Sequence, residues 1–282
     1  MVKAYQIWGC CLACFFSCLA ANKEKINYIK SKYEHTLFGK QHLFYPAKNP
    51  KLLLIFFYGA LKNRYLMWSQ FWNDEEHWEN SAHLFLKDDD TTWYLGNDAQ
   101  DFVPNYSNII NHYIAVCKLA PDHVFTIGCS MGGYAAILYA ILLGLKGVIA
   151  FNPQVNKASS MLGHFDGTGK RWRNLDEVAY AASSLPNLSL VYCHAPHDEA
   201  AGNALIDEFR KKTSPIIIRR RYSDSHTEVF GKISKEFIEA EIRYLENPPQ
   251  IAEAKPTEEN KNNFTHESSD EDLFEPDEIG SL

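Results

Sequence analysis

The sequence predicts an α/β fold: a mostly parallel central sheet with helices on both faces and a small lid. Three observations carry that reading. Short, unbroken apolar runs recur along the chain, stretches of helical period lie between most of them, and one run ends in a glycine-rich turn leading straight into a further helical stretch. Unbroken apolar runs mark strands buried on both faces, because a strand with one wet face alternates instead.

Taken in order, residues 23–33 (KEKINYIKSKY) read as a short helix. Residues 36–46 (TLFGKQHLFYP) read as one alternating strand leading into the buried-strand run KLLLIFFYGA at 51–60. Further strands are expected at 82–87 (AHLFLK), 123–128 (HVFTIG), 147–152 (GVIAFN), 188–195 (LSLVYCHA) and 215–222 (PIIIRRRY). Helical periods fill 107–120, the stretch after Ser130, 199–212 and 232–245; in the last, Ile233, Phe237, Ala240 and Tyr244 fall on one face. Residues 152–185 are long for a simple crossover and are read as the lid.

Composition divides the 282 residues into a folded body, 23–247, and two ends of different character. With 46% hydrophobic and 22% charged residues, the chain can bury one substantial core. Its formal charge of −7 is concentrated at the end: residues 248–282 hold ten acidic residues and two lysines, so residues 1–247 carry +1. The body therefore lacks the basic excess that nucleic-acid binding needs, and the tail, too charged and without period, is expected to be disordered. Residues 1–22 form an apolar N-terminal segment in which 4–21 (AYQIWGCCLACFFSCLAA) hold no charge and four of the seven cysteines. A signal, a membrane anchor and a buried helix all fit, since as a helix this stretch spans about 27 Å, marginal for a bilayer. Lys23, Lys25, Lys30 and Lys32 follow at once, which favours retention on the cytoplasmic face of a membrane over export after cleavage. Cys11-Leu12-Ala13-Cys14 has the spacing of a metal pair, but no second pair or nearby histidine completes it, and no metal site is expected.

Chemistry centres on VFTIGCSMGGY at 124–134, where a strand-like run ends in Gly128-Cys129-Ser130-Met131-Gly132-Gly133 before YAAILYAILLG. A serine hydroxyl is a weak nucleophile unless a sharp turn exposes it beside backbone N–H groups at a helix N-terminus, which face the developing oxyanion. Gly128 and Gly132 leave room for the turn, and Gly133 for packing beneath it.

This motif resembles the nucleophile elbow of the α/β-hydrolase superfamily, and the resemblance extends over about residues 40–246. It implies an acid and then a histidine after the serine, each on a loop at the carboxyl end of a later strand. Asp198, just past LSLVYCHA, and His226, just past IIIRRRY, stand in that order; Glu199 and Asp224 are alternative acids. His226 is then the general base, Asp198 fixes its tautomer, and the N–H groups of Met131 and of Gly59 or Ala60 form the oxyanion hole.

A narrower likeness rests on LKDDDTTWYLGN (86–97), AFNPQ (150–154) and GTGKRW (167–172), which together resemble bacterial surface-polysaccharide proteins of this fold, including capsule O-acetyltransferases. It implies acetyl-CoA as donor substrate, with no bound cofactor, and a polysaccharide hydroxyl as acceptor. Lys170, Arg171 and Arg173 are candidate ligands for CoA phosphates or an anionic glycan, and Trp172, with Trp93 and Tyr94, a candidate surface for a sugar ring or a piece of core. A serine esterase acting on a polysaccharide or small ester passes through the same acyl-serine, and a non-enzymatic scaffold on this fold is the remaining class. Nothing in the sequence fixes the oligomeric state.

Overall fold

Chain order and pairing set out the sheet. The computed structural model describes residues 24, 26–60, 65–71, 80–156, 171–182, 188–195, 199–212, 217–221 and 229–247. Met1–Asn247 and Pro248–Leu282 are separate units, and the described residues all belong to the first. Helix α1 (26–33) leads into strands β1 (Glu34–Leu37), β2 (Lys40–Tyr45), β3 (Leu52–Phe57) and β4 (Ser81–Leu86). Helix α2 (Val103–Cys117), β5 (Val124–Cys129), α3 (Met131–Leu143), β6 (Gly147–Phe151) and α4 (Leu175–Ala181) follow. The unit closes with β7 (Ser189–His194), α5 (Glu199–Lys212), β8 (Ile217–Arg221), α6 (Val229–Lys232) and α7 (Lys235–Glu246). The eight strands form one sheet in the order β1-β2-β4-β3-β5-β6-β7-β8. The β1–β2 and β2–β4 pairs are antiparallel and every other pair is parallel, giving the mostly parallel sheet the sequence predicts.

Period-two alternation splits each central strand between two apolar layers. Leu53, Ile55 and Phe57 of β3 face the layer covered by α2, α3, α4 and α5, whereas Leu52, Leu54 and Phe56 face the one covered by α1, α6 and α7. Both faces are therefore dry, which is why these strands read as unbroken apolar runs. Helix α3 is buried on every side from Met131 to Ile141, as expected of a helix apolar around its whole circumference.

Two expectations change. Residues 36–46 form a turn and parts of two strands rather than one strand, because Phe38 and Gly39 both take positive φ (48° and 73°) and reverse the chain between β1 and β2. A two-residue turn with both φ positive matches the twist of a hairpin, and only its second position carries the glycine that announces it. In α7 the buried stripe is Ile238, Glu241, Ile242 and Leu245, while Ala240 and Tyr244 are exposed. The observed rotation buries three large aliphatic side chains and leaves the tyrosine hydroxyl in water, a larger apolar gain than the predicted face offers. Of the stretch predicted as a lid, 152–156 and 171–182 are described; its middle, the tail and residues 1–22 lie outside the described residues.

One contact between β2 and α2 gives the fold an acid sensitivity. His42 is fully buried; its Nδ1–H donates to the Lys40 carbonyl (3.2 Å) and its Nε2 accepts from the Tyr113 hydroxyl (2.8 Å). Burial lowers its pKa to about 4, offset in part by the Lys40 carbonyl and reinforced by His35 and His112. A depressed histidine pKa means that the unfolded chain binds the proton first, so stability falls as pH drops from about 6.5 towards 4. The loss should reach on the order of 2–3 kcal/mol. His42→Gln, measured by thermal melts at pH 7 and pH 4.5, should show a much smaller drop between the two than the wild type. Equal drops would place the acid sensitivity elsewhere.

Candidate active site

Ser130 is the first residue after β5 and the last before α3, with φ 55° and ψ −120°. A non-glycine residue so placed carries backbone strain of roughly 1–3 kcal/mol. The neighbours that over-determine it are visible: the Ser130 N–H donates to the Phe151 carbonyl of β6 (2.9 Å), and the Ser130 carbonyl accepts from the Tyr134 N–H (3.0 Å). Gly128 and Gly132 then permit contacts that no side chain would, and Gly133 a close one. A Cβ on Gly128 would lie 2.0 Å from the Gly132 carbonyl oxygen, and one on Gly132 would lie 2.3 Å from the Phe57 carbonyl oxygen. A Cβ on Gly133 would come within 3.2 Å of the Phe151 carbonyl oxygen and of Pro153. The first turn of α3 thus rests on the carboxyl ends of β3, β5 and β6 at once. Cys129, beside the serine, is no competing nucleophile, since complete burial pushes its thiol far above the usual range.

The carboxyl end of β3 meets the elbow from the other side. Because Gly132 abuts the carbonyls of Phe57 and Tyr58, Gly59 and Ala60 follow directly beside the α3 N-terminus, where the first N–H groups of a helix have no acceptor within it. Met131 is the first residue of that helix. The structure therefore brings together Ser130, Met131 and the chain at Gly59 and Ala60.

That juxtaposition depends on a clamp the sequence did not announce. The Tyr94 hydroxyl accepts from the Tyr58 N–H (2.7 Å) and lies 3.0 Å from the carbonyls of both Tyr58 and Leu86, to one of which it donates. Burial raises its pKa well above the ordinary phenol value, so it remains a donor. Tyr94 is aimed there by a turn in which Thr91, Trp93 and Tyr94 all have positive φ. Within that turn the buried Asp88 carboxylate accepts from the Thr92 N–H (2.7 Å), the Thr92 hydroxyl (3.1 Å) and the Tyr94 N–H (2.9 Å). The Tyr139 hydroxyl of α3 donates to the Tyr94 carbonyl (2.7 Å), completing the tie between turn and elbow helix. The segment LKDDDTTWYLGN is thus a structural device, with Trp93 and Tyr94 buried. Tyr94→Phe removes a hydroxyl bonded to this backbone junction and should cost about 1–3 kcal/mol. The melting temperature should fall by roughly 3–8 °C; an unchanged melt would mean that the β3–β4 junction holds without it.

The remaining predicted residues divide. Asp198, His226 and Lys170 lie outside the described residues, as does the alternative acid Asp224. Their flanks are described: β7 ends at His194 and β8 at Arg221, each parallel to its neighbour and finishing on the same edge of the sheet as β5. Arg171 pairs with Asp101 (3.0 Å) and donates from Nε to the Asn97 carbonyl, so its guanidinium is held on the 97–101 turn. Trp172 stacks on Tyr134 (4.7 Å between centroids), meets Trp93 edge-on (5.2 Å) and donates from Nε1 to Asn174 Oδ1 (2.9 Å). Since Tyr134 is one helical turn beyond the serine, Trp172 stands close to the elbow. The Tyr134 hydroxyl donates to the Arg173 carbonyl (2.8 Å), and the Arg173 residue itself is exposed. Among the described residues no cluster of side chains has the makings of a metal site, and no helix is long and apolar enough to cross a membrane.

No protein-family model matches this chain. No curated protein matches it either. Solved structures do. The capsule O-acetyltransferase of Neisseria meningitidis serogroup A, in complex with caged gadolinium, matches at 18% identity and a TM-score of 0.55, over 76% of this chain and 94% of that one. A second structure of that protein matches at 17% identity and a TM-score of 0.54, over 74% and 94%. The Glycosylation Associate Protein (Gap123) complex from Streptococcus agalactiae matches at 17% identity and a TM-score of 0.49, over 77% of this chain, which spans 46% of the matched one. The chain has the α/β-hydrolase architecture: a central mixed sheet flanked by helices, shared with a capsule O-acetyltransferase at low identity.

Proposed function

We propose that the protein is a serine acyltransferase that moves an acetyl group from acetyl-CoA to a hydroxyl of a bacterial surface polysaccharide. The observation that carries the reading is Ser130, strained at φ 55° between β5 and α3 and locked there by glycines that admit no Cβ. His226 takes the Ser130 proton as Oγ bonds to the acetyl carbonyl carbon, and the oxyanion rests on the N–H groups of Met131 and of Gly59 or Ala60. The carbon–sulfur bond then breaks, and His226 returns the proton to the departing CoA thiolate. In the second half the acceptor hydroxyl gives its proton to His226, its oxygen bonds to the acetyl carbon, and Ser130 leaves, recovering that proton. Asp198 holds the imidazole in the required tautomer throughout. Lys170 and Arg173 serve the anionic groups of donor or glycan and Trp172 a sugar face, while Arg171 positions the segment that carries them. Residues 4–21 hold the protein on the cytoplasmic side of a membrane, and 248–282 extend as a solvated acidic tail.

Transfer is favoured over hydrolysis by the likeness in fold to the capsule O-acetyltransferase, which extends over 94% of that protein's chain. The deciding measurement is acetyl-CoA consumption with and without polysaccharide, alongside acetate release from an O-acetylated polysaccharide. Donor consumption that rises with glycan, with acetyl appearing on it, is the expected result. Acetate release with indifference to CoA would replace the transferase by a serine esterase.

A further inference from the structure

Three residues past the Phe151 carbonyl that receives the Ser130 N–H, one side chain is buried at a cost the fold does not repay. Gln154 is 1% exposed, and neither Oε1 nor Nε2 finds a hydrogen-bond partner among the described residues. A buried polar atom left unmatched typically costs about 1–3 kcal/mol, so in the resting protein this amide is a liability twice over. Its position is well defined. Strand β6 lies next to β5 with Phe151 opposite Cys129, and the chain leaves β6 through Asn152, whose positive φ of 41° turns it and whose N–H donates to the Cys193 carbonyl (2.7 Å). Pro153 packs against the first turn of α3 at Gly133, and the Val155 carbonyl accepts from the Leu175 N–H of α4 (2.9 Å). Gln154 stands between these two anchors, at the carboxyl end of the sheet, three residues past the strand that adjoins the one Ser130 follows. Ligands of open α/β sheets bind outside that end.

A primary amide offers two donors on nitrogen and an acceptor on oxygen. A phosphate or carboxylate can only accept and an ammonium can only donate, so either would leave half of the amide unmatched. A hydroxyl does both. Resting on the acyl-serine reading above, we propose that Gln154 is a specificity-determining residue that holds a neutral, hydroxyl-bearing acceptor beside the acyl-enzyme, Nε2 donating to one hydroxyl oxygen and Oε1 accepting from a neighbouring O–H. The reacting hydroxyl then forms its bond to the acyl carbon as the Ser130 Oγ bond to that carbon breaks, and its proton passes to Ser130 through His226. A site with buried groups built for a hydroxyl rejects an acceptor lacking it far more strongly than an apolar pocket rejects an extra methylene.

The test compares wild type with Gln154→Met, which keeps the length and removes both polar atoms. One readout needs no activity: the melting temperature of the variant should rise by at least about 3 °C, because the unmatched amide is gone. The second uses p-nitrophenyl acetate to acylate Ser130, with glycerol or 1-propanol added at equal concentration. The ratio of acetyl transferred to glycerol over that transferred to propanol is independent of how fast the serine is acylated. It should fall at least fivefold in Gln154→Met. A lower melting temperature or loss of folded variant would assign Gln154 a structural bond and overturn the proposal, as would an unchanged ratio. If wild type forms no acyl-enzyme at Ser130, the acyl-transfer reading itself fails and this assignment falls with it; a normal acyl-enzyme with an unchanged ratio removes the assignment alone.

Discussion

Ser130→Ala and His226→Ala should each lower turnover by roughly 10³ to 10⁶, with Asp198→Ala somewhat milder. The three losses should be far from additive, because a serine without its base is no more reactive than an alanine, and the residual rate comes from binding and the oxyanion donors. Acetyl-CoA consumption by the single variants and the triple variant measures this directly. Circular dichroism should show the fold intact in Ser130→Ala. That control has physical content here: Ser130 makes no capping bond through its side chain, and its strain is held by backbone contacts that alanine retains. Retained activity in His226→Ala would remove the histidine from the chemistry and require another base.

Gly132→Ala should be as damaging to folding as Ser130→Ala is to chemistry. The added Cβ would sit 2.3 Å from the Phe57 carbonyl oxygen and 2.8 Å from that of Tyr58. Both obstacles are backbone, at and just past the end of a strand fixed on either side by β4 and β5. Neither can rotate away as a side chain would, so the elbow helix must lift off the sheet. A cost of about 3 kcal/mol or more is expected, read as a melting temperature lower by at least about 6 °C or as loss of soluble protein. Gly144→Ala is the informative contrast. That glycine has φ 62° with nothing near the would-be Cβ, so only the left-handed backbone opposes the change, at about 1 kcal/mol. Equal melts for the two variants would mean that the close approach at Gly132 is not what holds the elbow down.

What the sequence disclosed follows from range. The GCSMGG turn was legible because strand, glycines and helix are contiguous, and the buried strands were legible because two dry faces leave an unbroken apolar signature. The hairpin at 38–39 was missed because Phe38 takes a conformation phenylalanine seldom adopts, so half of the turn carried no signal. The Tyr94 clamp was out of reach for another reason: its partners, Tyr58 and Leu86, are brought to it by sheet pairing. Arg171 illustrates the same limit. Its chain neighbours read as a basic patch for anions, and only the fold reveals that Asp101 and Asn97 already hold it. The face of α7 was misjudged because periodicity says that a stripe exists, whereas the layer it meets decides which stripe is buried.

Helix α3 has no wet side from Met131 to Ile141. An amide in such a helix exchanges its hydrogen with solvent only when the whole unit opens, whereas amides in surface connections exchange through local fluctuations. The serine is therefore fastened to a helix whose amides should exchange slowly, and local opening elsewhere should leave its bearing unaltered. Under the proposed reading, residues outside that helix other than Asp198 and His226 can change to suit a different acceptor while Ser130 keeps its place, so a change of substrate need not begin by loosening the seat of the serine.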